Sequence, residues 1–199
     1  MKHILTLPLI LLLSFNCIAA DYYKGTIVFA DGKSKSGLVE ATLSDYVLFK
    51  GSEKAEVEKI ESSLLKSVSI QGKDEVREYY YLKVYLGWGQ KRISDPMWLK
   101  VVEKGTVTLF VNHTTMRGSF YNTTQAGFSD YYCIRAGEPA AKMIANIASL
   151  NNNQTFRAKA PLYFADYPEL AGKIKSKEYT WRELTIVVKE YNKWAAQKK

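Results

Sequence analysis

The sequence has 199 residues, 47% of them hydrophobic, and 28 Lys and Arg against 20 Asp and Glu give a formal net charge of +8. That length is enough for one domain with a sizeable core or for two small ones. The only cysteines are Cys17 and Cys133, which excludes a framework of several internal disulfides.

Residues 1–20 have the pattern of a secretory signal peptide, in which Lys2 precedes an apolar run and Ala19 and Ala20 suit a cleavage site. The run is shorter than the roughly 20 apolar residues that a membrane-spanning helix needs. Cys17 raises the alternative of a lipid anchor, but residues 14–16 do not match the small-residue pattern of lipoprotein processing. We therefore expect an exported protein of the periplasm, the outer cell envelope or the medium, without a lipid anchor and without a transmembrane helix in the mature chain.

Removal of residues 1–20, which contain Lys2 and no acid, lowers the formal net charge to +7. In an exported protein such a charge favours anionic envelope glycans, a membrane surface or an envelope protein as partners. Nucleic acid is not expected as a partner.

The segment 24–70 is predicted to form short strands joined by turns. Apolar and polar residues alternate over 24–30, 37–42 and 45–50, and we expect a further strand at 64–70. Asp31-Gly32 is a strong hairpin signal between the first two strands.

The segment 75–89, EVREYYYLKVYLGWG, is the longest candidate strand. One of its faces is the more apolar and is predicted to point toward the core: Tyr80, Leu82, Val84, Leu86 and Trp88. Residues 98–105 and 106–114 are predicted to form a hairpin around Lys104-Gly105, and residues 130–137 complete the β-rich part.

After Pro139 the pattern changes to helical spacing. Apolar residues in PAAKMIANIASL predict a helix over 139–150, and the polar run NNNQ at 151–154 indicates a break. The pairs Asp166/Glu169 and Thr180/Glu183 each match a capping box and predict the starts of two further helices. A stripe of apolar residues on the last helix indicates that it packs on the sheet: Trp181, Leu184, Val188, Tyr191 and Ala195.

These elements predict an α+β fold, with an antiparallel β-sheet or partial barrel over about residues 24–136 followed by C-terminal helices. The expected organisation is a signal peptide at 1–20, a β-rich domain at 21–137 and a helical region at 138–199 that packs on it.

The runs WLKVVEKGTVTLF, from residue 98, and YFADYPELAGKIKSKEYTWRELTIVVKEYNKW, from residue 163, together with the opening GTIVFADG and a following SG, resemble an uncharacterised group of exported Gram-negative envelope proteins. The resemblance covers most of the chain after residue 20. It implies an envelope location and a β-rich body with C-terminal helices. It implies no reaction, and no catalytic residues carry over from it.

Catalytic patterns are weak. No G-x-S-x-G elbow and no phosphate-binding loop occurs. His113 has no second histidine or cysteine at metal-ligand spacing, so we expect no metal site and no cofactor. A nucleophilic pair of Cys133 and His113 stays open as an alternative, and so does a pair of carboxylates brought together by the fold.

The segment GWGQKR with the nearby DPMW is the one candidate binding surface. It brings the indoles of Trp88 and Trp98 close in sequence to the cations of Lys91 and Arg92, and aromatic rings beside cations suit glycans or lipid headgroups. The competing interpretation buries both indoles on apolar strand faces.

The sequence thus favours a non-enzymatic binding module of the envelope. The alternatives are a hydrolase that uses carboxylates or Cys133, and an assembly module that acts through its C-terminal helical hairpin.

Overall fold

The computed structural model describes residues 21–40, 42–86, 92–116, 126–147 and 152–198. The strands in these ranges are β1 (Tyr22–Phe29), β2 (Ser34–Glu40), β3 (Tyr46–Lys50), β4 (Glu58–Glu61), β5 (Leu65–Gln71), β6 (Val76–Leu82), β7 (Tyr85–Leu86), β8 (Arg92–Ile93), β9 (Met97–Glu103), β10 (Val107–Met116), β11 (Ala126–Arg135) and β12 (Lys142–Ile147). The helices are α1 (Asn152–Tyr163), α2 (Pro168–Lys175) and α3 (Leu184–Ala196), with short 3-10 turns at Ser62–Leu64 and Trp181–Glu183.

Ten strands form one antiparallel sheet in the order β12, β11, β10, β9, β6, β5, β1, β2, β3, β4, and β7 pairs with β8 in a separate hairpin. The sheet is open, with β12 and β4 at its edges, and it does not close into a barrel. The predicted α+β fold with C-terminal helices is therefore confirmed. None of the described helices is long and apolar enough to cross a membrane.

The first half of the sheet curls around its own side chains. One face, here called the first face, carries a row of cross-strand partners: Ile27, Val68, Tyr79, Lys100, Val111 and Tyr131. On this face β1 to β5 bury a continuous apolar cluster, the N-terminal core: Ile27, Val39, Val47, Phe49, Ile60, Leu65, Val68 and Ile70. Only three residues, Ser62–Leu64, connect β4 to β5, although β1, β2 and β3 lie between these two strands in the sheet. The sheet must therefore bend strongly, and the buried cluster places the bend toward the first face.

The second half curls the opposite way. After β6 the chain turns back, and its residues 83 and 85 exchange two backbone hydrogen bonds of 2.9 Å with Ala141, just before β12. Because β6 and β12 are separated by three strands in the sheet, this bridge requires a strong bend toward the second face. The bend encloses the C-terminal core: Val84, Leu99, Phe110, Tyr132 and Ala141.

The helices cover the first face of this second half. α1 packs on β12 and α3 on β9 and β10. The shared helical core is the largest of the three: Val107, Leu109, Cys133, Ile144, Ala145, Phe156, Ala160, Tyr163, Phe164, Leu170, Ile174, Leu184, Val187, Val188 and Tyr191. The apolar stripe predicted for the last helix is thus confirmed at Leu184, Val188 and Tyr191.

Two hairpins predicted from turn residues are confirmed. Asp31-Gly32 joins β1 to β2, and Gly32 has a φ of 88°, in the region that glycine favours. Lys104-Gly105 joins β9 to β10. On the long strand, Tyr80, Leu82 and Val84 contact the C-terminal core as predicted.

Other details of that strand were wrong. Leu86 is exposed, because the chain leaves the sheet after β6. Tyr79, on the face predicted to be outward, packs against the N-terminal core, since the two halves of the sheet bury opposite faces. Trp88 lies outside the described residues.

The predicted helix over 139–150 was wrong, because residues 142–147 form strand β12. Met143 contacts the C-terminal core while Ile144 and Ala145 belong to the helical core, so the segment is apolar on both faces. Periodicity cannot separate such a strand from a buried helix. The sheet therefore extends to Ile147, past its predicted end near 136.

The polar run at 151–154 was predicted as a break, but α1 begins at Asn152. The helix is stabilised by burial of Phe156 and Ala160 against the sheet, because tertiary packing of an apolar face contributes more to a helix than its local sequence does. After residue 151, where the sequence predicted two helices, the described chain therefore forms three, α1, α2 and α3.

One of the two predicted capping boxes is confirmed. The Thr180 side chain accepts from the backbone N–H of Arg182, and the Glu183 carboxylate accepts from the backbone N–H of Thr180 at 2.8 Å. The Asp166/Glu169 box was wrong, because Tyr167 is the residue before α2 and gives no side-chain cap. Asp166 instead binds residues of β11 and α3.

Candidate functional site

The four residues predicted to form a binding surface are only partly described. Trp88 and Lys91 lie outside the described residues. Arg92 in β8 is exposed. Trp98 in β9 is half-buried, and its indole N–H donates to the Ser44 carbonyl and the Ser62 hydroxyl, both at 3.0 Å. The polar group of Trp98 therefore serves an internal contact, and its ring packs against the N-terminal core.

A different part of the molecule offers a concave site. The open end of the second curl holds a cavity of about 850 Å³, within the range of roughly 300–1,000 Å³ typical of small-molecule sites. We call it the cationic cavity and define it by its lining residues: Lys66, Tyr80, Leu82, Lys104, Gly105, Thr106, Thr108, Phe110, Ile134, Arg135 and Ala136. It lies between β5, β6, β10, β11 and the turn that joins β9 to β10.

The floor of the cationic cavity is apolar because it is the end of the C-terminal core. Phe110 is only 2% exposed, and Tyr80 meets its ring edge to face with 5.7 Å between centroids. Leu82 and Ile134 pack beside them. Burial and the nearby Glu78 carboxylate raise the pKa of Tyr80, so its phenol stays neutral at physiological pH.

Lys66 reaches the rim because of an irregularity in β5. Val28 pairs with Ser67 and Phe29 pairs with Leu65, which leaves Lys66 as an extra residue without a partner on β1. Bulges of this kind redirect a side chain. Lys66 is exposed, and it has no hydrogen bond or ion pair with any residue that the structure describes.

Lys104 lies on the rim, directly after the last residue of β9, and an ion pair fixes its side chain. Its ammonium group pairs with the Glu78 carboxylate at 2.5 Å and lies 5.8 Å from the Tyr80 ring centroid. The hydrogen bond to Glu78 raises the pKa of Lys104. The turn that follows requires Gly105, because a Cβ there would overlap the Asn192 side chain, which bonds both backbone groups of Val107.

Arg135 also lines the cavity, but its guanidinium forms hydrogen bonds with residues of the helices and of the loop before α2. It donates to the Tyr163 carbonyl at 2.8 Å, to Asp166 at 3.1 Å and to the Tyr191 hydroxyl at 3.2 Å. Tyr191 donates in turn to Asp166 at 2.5 Å. We call these four residues with Glu138 and Lys142 the Arg135 network, and it joins the end of β11 to α1 and α3.

Glu138 is the second acid of the Arg135 network. It accepts from the backbone N–H of Arg135, from the Tyr163 hydroxyl and from the Lys142 ammonium at 2.8–2.9 Å. Burial alone would raise the pKa of Glu138, but these hydrogen bonds outweigh it and the pKa lies below its usual value. The carboxylate is therefore a structural anion with its partners already satisfied, which does not suit a general acid.

The Cys133–His113 pair is not assembled. Cys133 is fully buried in the helical core, and burial raises the pKa of its thiol well above the usual value. His113 pairs across the strands with Ser129, and its Nδ1 lies 2.8 Å from the Ser129 hydroxyl. Ser129 and Cys133 are four residues apart on β11, about 13 Å at the rise of a strand.

The His113–Ser129 contact also falls short of a catalytic arrangement. A serine nucleophile needs a base that a third group orients, and no described carboxylate bonds the other ring nitrogen of His113. Within the described ranges, no group of three or more His, Cys, Asp and Glu side chains could hold a metal ion.

Some residues of the cationic cavity could be recognised from the sequence, but the cavity itself could not be predicted from it. Lys104-Gly105 stands out as a turn and Tyr80 as a core residue, and both line the cavity. Lys66 was missed because the bulge that aims it depends on pairing between β1 and β5.

Comparisons with known proteins assign no family: no family model matches the chain, and neither a curated protein nor a solved structure matches it.

Proposed function

We propose that this chain is a non-enzymatic binding module of the bacterial cell envelope and that the cationic cavity is its binding site. The observation that carries the proposal is the cavity itself, an opening of about 850 Å³ with an apolar floor and lysines on its rim. Concave, mostly apolar sites with a few polar groups are the usual form of small-molecule binding sites. Export to the envelope rests on the signal-peptide pattern and on the resemblance described above.

Two features support binding over a structural role for this end of the sheet. If this end of the sheet were only structural, side chains of the C-terminal core would fill it, because protein interiors are packed as densely as organic crystals. Here the bulge at Lys66 and the tight turn at Gly105 both form parts of the wall without filling the space.

The alternative functions have weaker support. A hydrolase needs a nucleophile or a pair of free carboxylates, whereas Cys133 is buried and Glu138 is satisfied by three partners. An assembly module that acts through its helices needs a free helical face, and the inner faces of α2 and α3 are buried in the helical core. Leu162 of α1 and Ile186 of α3 are exposed, and they are the residues such a module would use.

The proposal predicts that the cavity binds an uncharged apolar probe. N-phenyl-1-naphthylamine, which fluoresces in apolar surroundings, should bind the purified protein saturably at one site. Thr108 lies in the cavity wall on β10, so Thr108→Trp should fill the space and weaken probe binding at least about tenfold. Fluorescence titration gives both affinities.

Ser36→Trp is the matched control, because Ser36 is exposed on β2 and lines another concave surface. It should bind the probe like the unchanged protein. Absence of saturable binding, or equal binding by the two tryptophan variants, would contradict the proposal.

A further inference from the structure

We propose that the ligand of the cationic cavity is a single-chain amphiphile with an anionic head group, of the fatty-acid carboxylate type. The head would pair with Lys66, and the chain would lie against Tyr80, Leu82, Phe110 and Ile134. This inference rests on the proposed function, because it names the class of molecule that the binding site takes.

The charge of the rim selects an anion. The described lining residues include Lys66, Lys104 and Arg135, and none of them is an acid. Glu78 offsets Lys104 through their ion pair, and Asp166 offsets Arg135. Lys66 is left as a lysine without a partner among the described residues, at the rim of an apolar space. An unpaired cation next to a low-dielectric wall attracts an anion more strongly than an isolated surface lysine does.

The floor selects an apolar chain. The described side chains that line it below the rim are aromatic or aliphatic, and the hydroxyl groups among them are those of Tyr80, Thr106 and Thr108. Each buried CH₂ of a ligand contributes about 0.8 kcal/mol, so chain length is the main source of affinity. A glycan would leave most of its hydroxyl groups without partners against such a floor.

The depth of the site favours a free chain over a membrane surface. Phe110 is 2% exposed and Tyr80, Leu82 and Ile134 are only partly exposed, so a flat surface can reach little of their apolar area. A flat bilayer surface can meet the rim but not the floor, whereas one extended chain can enter.

Displacement of N-phenyl-1-naphthylamine from the purified protein tests the head-group preference. Dodecanoate, dodecanol and dodecyltrimethylammonium share one chain and differ in head charge, and all are used below the concentrations at which they form micelles. We expect dodecanoate to displace the probe at a concentration about tenfold lower than dodecanol, with the cation weakest. The preference should shrink as ionic strength rises, because salt screens exposed charges.

Lys66→Gln should reduce dodecanoate affinity by about fivefold and leave dodecanol unchanged, the range expected for one exposed ion pair. Lys66→Arg should retain the affinity. Lys24→Gln is the matched control, since Lys24 is an exposed lysine on a separate concave surface of about 660 Å³, and it should bind all three compounds like the unchanged protein.

The outcomes separate the two proposals. Equal displacement by dodecanoate and dodecanol, with probe binding intact, overturns the anionic head group and leaves the binding site standing. Binding to vesicles of anionic phospholipid without displacement by dodecanoate overturns the free chain in favour of a membrane surface. Failure of the uncharged probe itself to bind overturns the proposed function.

Discussion

The Arg135 network shows how single residues join the sheet to the helices. Arg135 stacks over the Tyr163 ring at 4.3 Å and donates to groups on α1 and α3. Its two acids, Glu138 and Asp166, come from two different loops, and Asp166 is the nearer to the guanidinium. Because a partly buried charge is costly without partners, each member depends on the others, and removal of one leaves the rest unsatisfied.

Glu138→Gln should make the stability of the protein less dependent on pH. The pKa of Glu138 is lowered in the folded state, so its contribution is full above its unfolded pKa of about 4.3 and is lost as the pH falls through the folded pKa. We expect the variant to be less stable than the unchanged protein by about 2 kcal/mol at pH 7, with the difference shrinking toward pH 3. Urea unfolding at several pH values measures it.

The matched control for that experiment is Glu56→Gln. Glu56 is exposed and has no partner among the described residues, so its replacement should change stability by less than about 0.5 kcal/mol at any pH. A constant difference between Glu138→Gln and the unchanged protein from pH 7 to pH 3 would show that ionisation of Glu138 does not stabilise the fold.

At the scale of single residues, sequence patterns predicted hydrogen bonds between near neighbours in the chain but not those between distant residues. Thr180 and Glu183 form the predicted capping box because both partners lie within one helical turn. Asp166 matched the same pattern, but it pairs with Arg135 and Tyr191 instead. Those partners are far away in sequence, so no local pattern can name them.

The elements of the first half show why a strongly curved sheet needs glycine. Gly37 in β2 pairs with Gly25 in β1, and its α-carbon faces Phe49 of the N-terminal core. A Cβ on Gly37 would overlap the Lys50 carbonyl and lie 2.8 Å from the Phe49 ring. The close approach of Gly37 to Phe49 and Lys50 of β3 therefore depends on the missing side chain.

Gly37→Ala should lower the free energy of unfolding by about 2–3 kcal/mol, because the new methyl group forces the backbone of β3 or the Phe49 ring to move. Gly51→Ala is the matched control, since no atom of the described residues lies within 4 Å of a Cβ there, and it should change stability by less than about 0.5 kcal/mol. Equal denaturation midpoints for the two variants in urea would refute the role assigned to Gly37.

Element types were predictable where one face alone is buried. β1 and β2 follow the alternation and turn residues of their segments, and α2 and α3 follow theirs. β12 and α1 were mistaken because their local pattern is ambiguous or polar, and contacts with β11 and the helical core decide their structure.

At the scale of the whole molecule, two oppositely curved halves share one sheet. The first half needs no cover because β1 to β5 enclose their own core. The second half encloses its core on the second face, and its first face requires the helices. The cationic cavity results from this arrangement, because no described helix or strand covers this end of the second curl.

The reactivity of the Cys133 thiol tests whether the helices stay on the sheet, because Cys133 lies in the helical core at 0% exposure. Burial raises the pKa of the thiol and also blocks reagents. In native protein we expect a thiol-reactive disulfide reagent to label Cys133 at least about a thousandfold more slowly than in urea, because labelling requires release of the helices by unfolding.

The experiment uses a chain that begins at Asp21, so that Cys133 is the only thiol. The added thiol of a Ser36→Cys variant, exposed on β2, should react rapidly in native protein. Rapid native labelling of Cys133 would mean that the helices separate from the sheet without global unfolding.

By itself the sequence determined the α+β class, the turns at Asp31-Gly32 and Lys104-Gly105, and the two last helices, because each depends on residues a few positions apart. Only the tertiary structure decided the opposite curvature of the two halves, the strand at β12, and the cavity that unites Lys66 with Tyr80 and Phe110. These features depend on pairing and packing between distant segments, which the order of residues along the chain does not reveal.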